Sequence, residues 1–129
     1  MKRKQPWRYV ECGLDNVYLA GIEVEIDPET GREQPIIPQF EDLHDCIFLG
    51  LLRKSARLSG KEIRYLRRHL LWTQTVAAGK LYLSGPQYWC SLESKGGKAA
   101  FADLPTELVW RLLCVEEFGK RATAAKRRN

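Results

Sequence analysis

At Phe40 the hydrophobic period of this chain changes from two residues to about 3.6, and that switch fixes its class: a strand-rich front followed by helices. Trp7-Arg8-Tyr9-Val10-Glu11-Cys12 alternates large and polar side chains until Gly13 breaks the run. Val17-Tyr18-Leu19 and Ile22-Glu23-Val24-Glu25-Ile26 follow, the latter alternating strictly, with Asp15-Asn16 and Ala20-Gly21 as the turns between them. Asp27-Pro28-Glu29-Thr30-Gly31 is a strong turn, because Pro presets φ and Gly accepts a positive value. The return, Pro35-Ile36-Ile37-Pro38, can only be a short edge strand, since its prolines have no N–H for a ladder.

Beyond Phe40, Leu43, Ile47 and Leu51 recur at i, i+4 and i+8 and predict a helix over roughly residues 41–55. Ser59-Gly60-Lys61-Glu62 has the capping-box pattern and opens a second helix. There Ile63, Leu66 and Leu70 form the inner stripe, and Arg64, Arg67 and Arg68 are expected to face solvent. Thr73 caps a third helix, Gln74 to Leu81, and Ser84 or Gly85 caps a fourth that starts at Pro86 and ends near Lys95-Gly96-Gly97. Asp103 and Pro105 introduce the last, with Leu108, Leu112, Val115 and Phe118 on one stripe that is the best candidate for a dimer seam, the alternative being that it closes the monomer core. The predicted fold is α+β: a small amino-terminal antiparallel sheet followed by a five-helix bundle that contains a helix-turn-helix. Its divisions are a β module over 1–39, a helical domain over 40–120 and a basic, flexible tail over 121–129.

Charge divides the chain in the same place. Residues 1–45 hold ten acids and five bases, whereas residues 46–129 hold six acids and sixteen bases, so a front of −5 is joined to a remainder of +10. A basic half suggests a polyanionic partner, and the acidic front a separate task. The longest apolar run, Cys46 to Leu52, is seven residues and far short of a membrane span. The basic start, Met1 to Trp7, lacks the apolar stretch of a secretion signal, so a soluble cytoplasmic protein is expected. Cys12, Cys46, Cys90 and Cys114 lie 34, 44 and 24 residues apart, and His44 and His69 have no ligand partner in their own turns. A zinc tetrahedron normally draws on close pairs, so neither metal nor cofactor is expected, and the cysteines read as reduced.

Two short helices joined by a tight turn, behind a basic helix, fit a helix-turn-helix. The second can enter a major groove about 12 Å wide only if the first props it across the backbone, and Ala77-Ala78 allows the close approach this needs. Trp72, Leu81, Leu83, Trp89 and Leu92 are the predicted core of that unit. Gln87, Tyr88 and Ser91 are predicted to face outward, where Gln can bond adenine and the others reach base edges or phosphates. Arg64, Arg67, Arg68 and Gln74 are placed for the DNA backbone, and Ser84, Lys95 and Lys98 are further predicted DNA contacts.

Leu58-Ser59-Gly60-Lys61-Glu62-Ile63-Arg64-Tyr65-Leu66-Arg67 resembles the segment that opens the helix-turn-helix of Xre-type repressors, most of all the antitoxin and regulator group related to the MqsA antitoxins. Tyr9 to Leu19 is similar to the strand segment that many members carry ahead of it, and the likeness covers most of residues 7–115. It implies a dimeric, operator-binding protein, often encoded beside a toxin that it blocks. Where this chain has Ala77 the family usually has Leu, and where it has Tyr82 the family has Gly; Gly85 reads as an insertion in the turn. Relatives with an amino-terminal zinc site use paired cysteines, which the lone Cys12 does not supply.

An enzyme is disfavoured. Cys90 and His69 have no spacing that demands a nucleophile pair, and Gly96-Gly97-Lys98 lacks the strand and leading glycine of a phosphate loop. The expected function is a DNA-binding transcriptional repressor, the antitoxin of a toxin–antitoxin pair, acting as a homodimer on an operator in double-stranded DNA. Trp7, Tyr9 and Tyr18 are its predicted contacts to a protein toxin or other protein target. The alternative is a protein-binding inhibitor on the same scaffold, such as a phage anti-defence (anti-CRISPR) protein, with Trp7 and Trp110 as interface anchors or as core.

Overall fold

The structure is a computed structural model that describes residues 5–128; Met1–Lys4 and Asn129 of the predicted modules lie outside the described residues. The layout is α+β, with β1 (Trp7–Arg8), β2 (Tyr18–Leu19), β3 (Glu23–Ile26) and β4 (Glu33–Ile36) ahead of the helices. These are α1 (Phe40–Arg53), α2 (Gly60–His69), α3 (Gln74–Lys80), α4 (Pro86–Glu93) and α5 (Leu104–Arg128). Two compact units result, Met1–Ile47 and Phe48–Asn129, so the division falls inside α1 rather than at its start.

In the first unit the single expected sheet is two separate antiparallel ribbons, β1–β2 and β3–β4. The β3–β4 turn is held by Asp27, whose carboxylate accepts from the Glu29 N–H, Thr30 Oγ1 and Gln34 Nε2 at 2.9, 3.1 and 3.2 Å, while Gly31 takes φ +70°. Pro35 sits within β4 opposite Val24, as an edge strand of a two-stranded ribbon permits. Ile22 and Val24 are buried as the alternation predicts, but Ile26 is exposed, because the ribbon ends there. Tyr9 and Leu14 complete this small core.

The second unit is built on α2. The capping box is complete: Ser59 Oγ accepts from the Glu62 N–H at 3.2 Å and Glu62 Oε1 from the Ser59 N–H at 2.9 Å. The next two orphan amides, Gly60 and Lys61, donate to Lys98 and Gly96 carbonyls at 3.1 and 3.0 Å. The helix start is therefore satisfied and stitched to the segment after α4. Ile63, Leu66 and Leu70 are buried as predicted. Trp89, Trp110 and Phe101 form an aromatic core, with 4.7 Å between the Trp89 and Trp110 ring centroids. Trp110 is thus core and no interface anchor, and of the predicted helix-turn-helix core Trp89 and Leu92 are buried while Trp72, Leu81 and Leu83 are half-buried.

In the last helix the stripe does not close the monomer core, apart from Phe118. Its inward side chains are Glu107, Trp110 and Cys114, with Phe118 half-buried on Phe48, whereas Leu108, Leu112 and Val115 are about half exposed or more. Hydropathy alone cannot anticipate this, since the buried Glu107 is fully satisfied. Its carboxylate accepts from Arg57 Nε, the Leu58 N–H and Arg111 Nη2, at 2.9, 3.0 and 2.9 Å. Arg111 in turn donates to the Lys54 and Ala56 carbonyls at 2.6 and 2.7 Å, which fixes the α1–α2 connection. Nor does the chain leave the helix at residue 121: α5 runs to Arg128, supported by Glu116–Lys120 and Glu117–Arg121 pairs and by alanines that favour helix. The buried Cys114 thiol has its pKa pushed up by desolvation, which keeps it protonated. No helix among the described residues is long and apolar enough to cross a membrane.

Gly60 marks the tightest approach in the unit. A Cβ there would lie 2.6 and 2.7 Å from the Glu93 and Leu92 carbonyl oxygens and 2.9 Å from the Gly96 nitrogen, all backbone atoms that cannot swing aside. Gly60→Ala is expected to destabilise the fold by about 1–3 kcal/mol, read as a lower urea midpoint at unchanged m-value.

Candidate nucleic-acid interface

The helix-turn-helix pair, α3 and α4, is positioned by caps and by one buried carboxylate. Thr73 Oγ1 accepts from the Val76 N–H at 3.1 Å to start α3. Gly85 is the N-cap of α4, with Pro86 in its first turn, and makes no side-chain capping bond. Ala77 and Ala78 are fully buried, which lets α3 pack closely on α4.

Glu93, the last residue of α4, joins all three helices. Its carboxylate accepts from Arg67 Nε of α2 at 2.6 Å and Arg67 Nη2 at 3.2 Å, from Gln74 Nε2 of α3 at 3.3 Å, and from the indole N–H of Trp89. Arg67 also donates to the Trp72 carbonyl at 3.0 Å, closing the α2–α3 corner. This corrects two predicted contacts. Arg67 does not face solvent, because a bidentate ion pair holds its guanidinium at 13% side-chain exposure. Gln74 is half-buried, with its amide turned to Glu93 rather than outward. Glu93 itself had no signal in local periodicity; apart from Trp89 one turn back, its partners lie 26 and 19 residues away.

The remaining predicted residues divide by exposure. Arg64 and Arg68 project from α2, and Ser84, Gln87, Tyr88, Ser91 and Lys98 are exposed. Ser91 Oγ donates to the Tyr88 carbonyl at 2.6 Å and keeps its acceptor capacity. Lys95 is exposed along its stem, but its ammonium donates to the Ala100 carbonyl at 2.8 Å, which ties it to its own loop.

The electrostatics sharpen this surface. From Phe48 to Ala102 the acids are Glu62 and Glu93, and both are withdrawn: Lys54 Nζ contacts Glu62 at 2.6 Å, and Arg67 holds Glu93. Arg53, Lys61, Arg64, Arg68, Lys80, Lys95 and Lys98 stay exposed over the same span, so this stretch exposes cations and no carboxylate. Among the described residues no cluster of His, Cys, Asp and Glu could hold a metal ion.

In the first unit the three predicted partner contacts also separate. Tyr9 is buried, not surface: its hydroxyl meets His44 Nε2 at 3.0 Å, and desolvation raises its pKa. Trp7 is half-buried, and Tyr18 is 59% exposed. Tyr18 lines an open, largely apolar groove of about 630 Å³ with Leu19, Ile22, Ile36, Ile37 and Leu43. Glu23 also lines it, and the unit as a whole is acidic.

Removing the Arg67 side chain leaves Glu93 buried without its counter-charge. Arg67→Ala should therefore cost about 3–5 kcal/mol in urea unfolding, instead of acting as a silent loss of one surface charge.

No protein-family profile, curated protein or solved structure matches the chain.

Proposed function

We propose that the chain is a transcriptional regulator that binds operator DNA through α4 as a two-fold dimer, and that it is the antitoxin of a toxin–antitoxin pair. The observation that carries the reading is the exposed face of α4, with Gln87, Tyr88 and Ser91, set in a surface that has no exposed carboxylate from Phe48 to Ala102. Glutamine pairs with adenine through two hydrogen bonds in the major groove, and tyrosine and serine reach base edges or phosphates. Arg64 and Arg68 supply the sequence-independent attraction, whose release of counterions makes binding fall steeply with salt. Action on the bacterial nucleoid, in the cytoplasm, follows from that role.

The antitoxin part rests on the first unit. Its groove, with Tyr18 at the wall and acidic residues around it, suits an apolar, basic segment of a protein partner. The same groove favours the second reading, an inhibitor that binds protein and reads no DNA. A complex that persists at high salt, together with no selected sequence, would decide for that reading.

Dimerisation is drawn from α5. Leu104, Leu108, Leu112 and Val115 leave about half or more of their surface in water on one side of a long helix, and a second copy related by a two-fold axis would cover both stripes at once. Leu112→Lys is expected to convert a dimer to a monomer of about 15 kDa in light scattering without lowering the thermal midpoint of the monomeric fold. A wild type that is already monomeric at tens of micromolar would refute the seam.

The reading helix is tested by selecting bound sequences from a random duplex pool. Wild type should enrich a palindrome, and Gln87→Ala should blur one position in each half-site, at about 1–3 kcal/mol on the operator with non-specific binding nearly unchanged. No enriched motif from wild type would remove the repressor reading.

A further inference from the structure

α2 and α3 end in the same way, and the shared ending exposes an anomaly. At the end of α2 the Trp72 N–H donates to the Arg67 carbonyl at 3.1 Å and the Leu71 N–H to the Arg68 carbonyl at 3.0 Å. At the end of α3 the Leu83 N–H donates to the Ala78 carbonyl at 2.9 Å and the Tyr82 N–H to the Gly79 carbonyl at 3.1 Å. Each is a Schellman ending, which requires a left-handed residue just past the helix and is ordinarily met by glycine. Here the positions hold Leu71 at φ +59° and Tyr82 at φ +56°. A bulky side chain at positive φ is strained, and neither residue recovers that cost by packing: Leu71 is 81% exposed and Tyr82 96%.

From this geometry we infer that Tyr82 is a further DNA contact, its phenol hydroxyl donating to a phosphate oxygen beside the groove that α4 enters; the inference rests on the DNA-binding reading above. Tyr82 stands on the turn that leads through Ser84 and Gly85 into the first turn of α4. A helix that enters the major groove by its amino-terminal end brings the preceding turn alongside the groove wall, which is phosphate. The ring is unencumbered and lies outside the core, within a stretch, Phe48 to Ala102, that exposes cations and no carboxylate. Leu71 adopts the same strained backbone with no donor to offer and serves as the internal control.

The probe is a labelled mixed-sequence duplex, because a phosphate contact is independent of sequence, titrated at several salt concentrations. Tyr82→Phe keeps the ring and the strain and should weaken binding about tenfold, the loss of one hydrogen bond to a charged acceptor. The salt slope should stay as in wild type, since a neutral donor displaces no counterion. Tyr82→Gly should weaken binding at least as much while raising the thermal midpoint by several degrees, and Leu71→Gly should raise the midpoint with unchanged affinity. Wild-type affinity in Tyr82→Phe would overturn the contact and leave the DNA-binding reading intact. An equal loss in Leu71→Gly would also overturn it, since the turn's backbone and not the phenol would then matter. A wild type that holds no duplex even at low salt would overturn both.

Discussion

The orientation of α4 depends on one carboxylate. Burying Glu93 at the end of α4 is costly by itself, and only a full set of donors makes it tolerable. Arg67, Gln74 and Trp89 provide that set from three helices, so their side chains must converge on one point. An apolar contact would accept a range of helix angles; a bidentate ion pair does not. Gly60 adds the matching steric condition from the other side, since any Cβ there meets the backbone of Leu92 and Glu93. Attraction at one end of α2 and close approach at the other together leave α4 a single seat.

The same chemistry decides what the surface looks like. Three carboxylates, Glu62, Glu93 and Glu107, are withdrawn into the second unit, each held by Lys54, Arg67, or Arg57 with Arg111. Ion pairs of this kind contribute little net stability, although removing one partner of a buried pair is costly. Their other effect is to take acids off the exterior. The positive field outside is thus less interrupted than the overall charge of +5 suggests.

How much of this was legible depends on the range over which a residue finds its partner. The starts of α2 and α3 could be read from four consecutive residues, because a cap is closed locally: Ser59 with Glu62, Thr73 with the Val76 amide. The stripe of Ile63, Leu66 and Leu70 was equally plain. The direction of Arg67 was not, since nothing within a turn of it distinguishes an inward arginine from its neighbours Arg64 and Arg68. In α5 the hydropathy of Leu108, Leu112 and Val115 left open whether their stripe closes the core, because the burial of Glu107 is decided by Arg57 and the Leu58 amide, some fifty residues back. Glu107 and Arg111 at i, i+4 within a leucine-rich helix were the local hint of an internal ion pair.

The apolar surface left outside is distributed in a telling way. A small domain lowers its free energy most by burying leucine and tyrosine, and α5 could have presented Leu108 and Leu112 to the core by a rotation of about one residue. It instead spends that face on solvent and fills the interior with Trp110 and a satisfied Glu107. Such an exchange is stable because the aromatic core and the carboxylate network compensate it within the chain. The exposed stripe is then free to answer to a second surface rather than to the fold. That separation lets the second unit keep a rigid α2–α4 frame while its outer residues remain open to selection for what they touch.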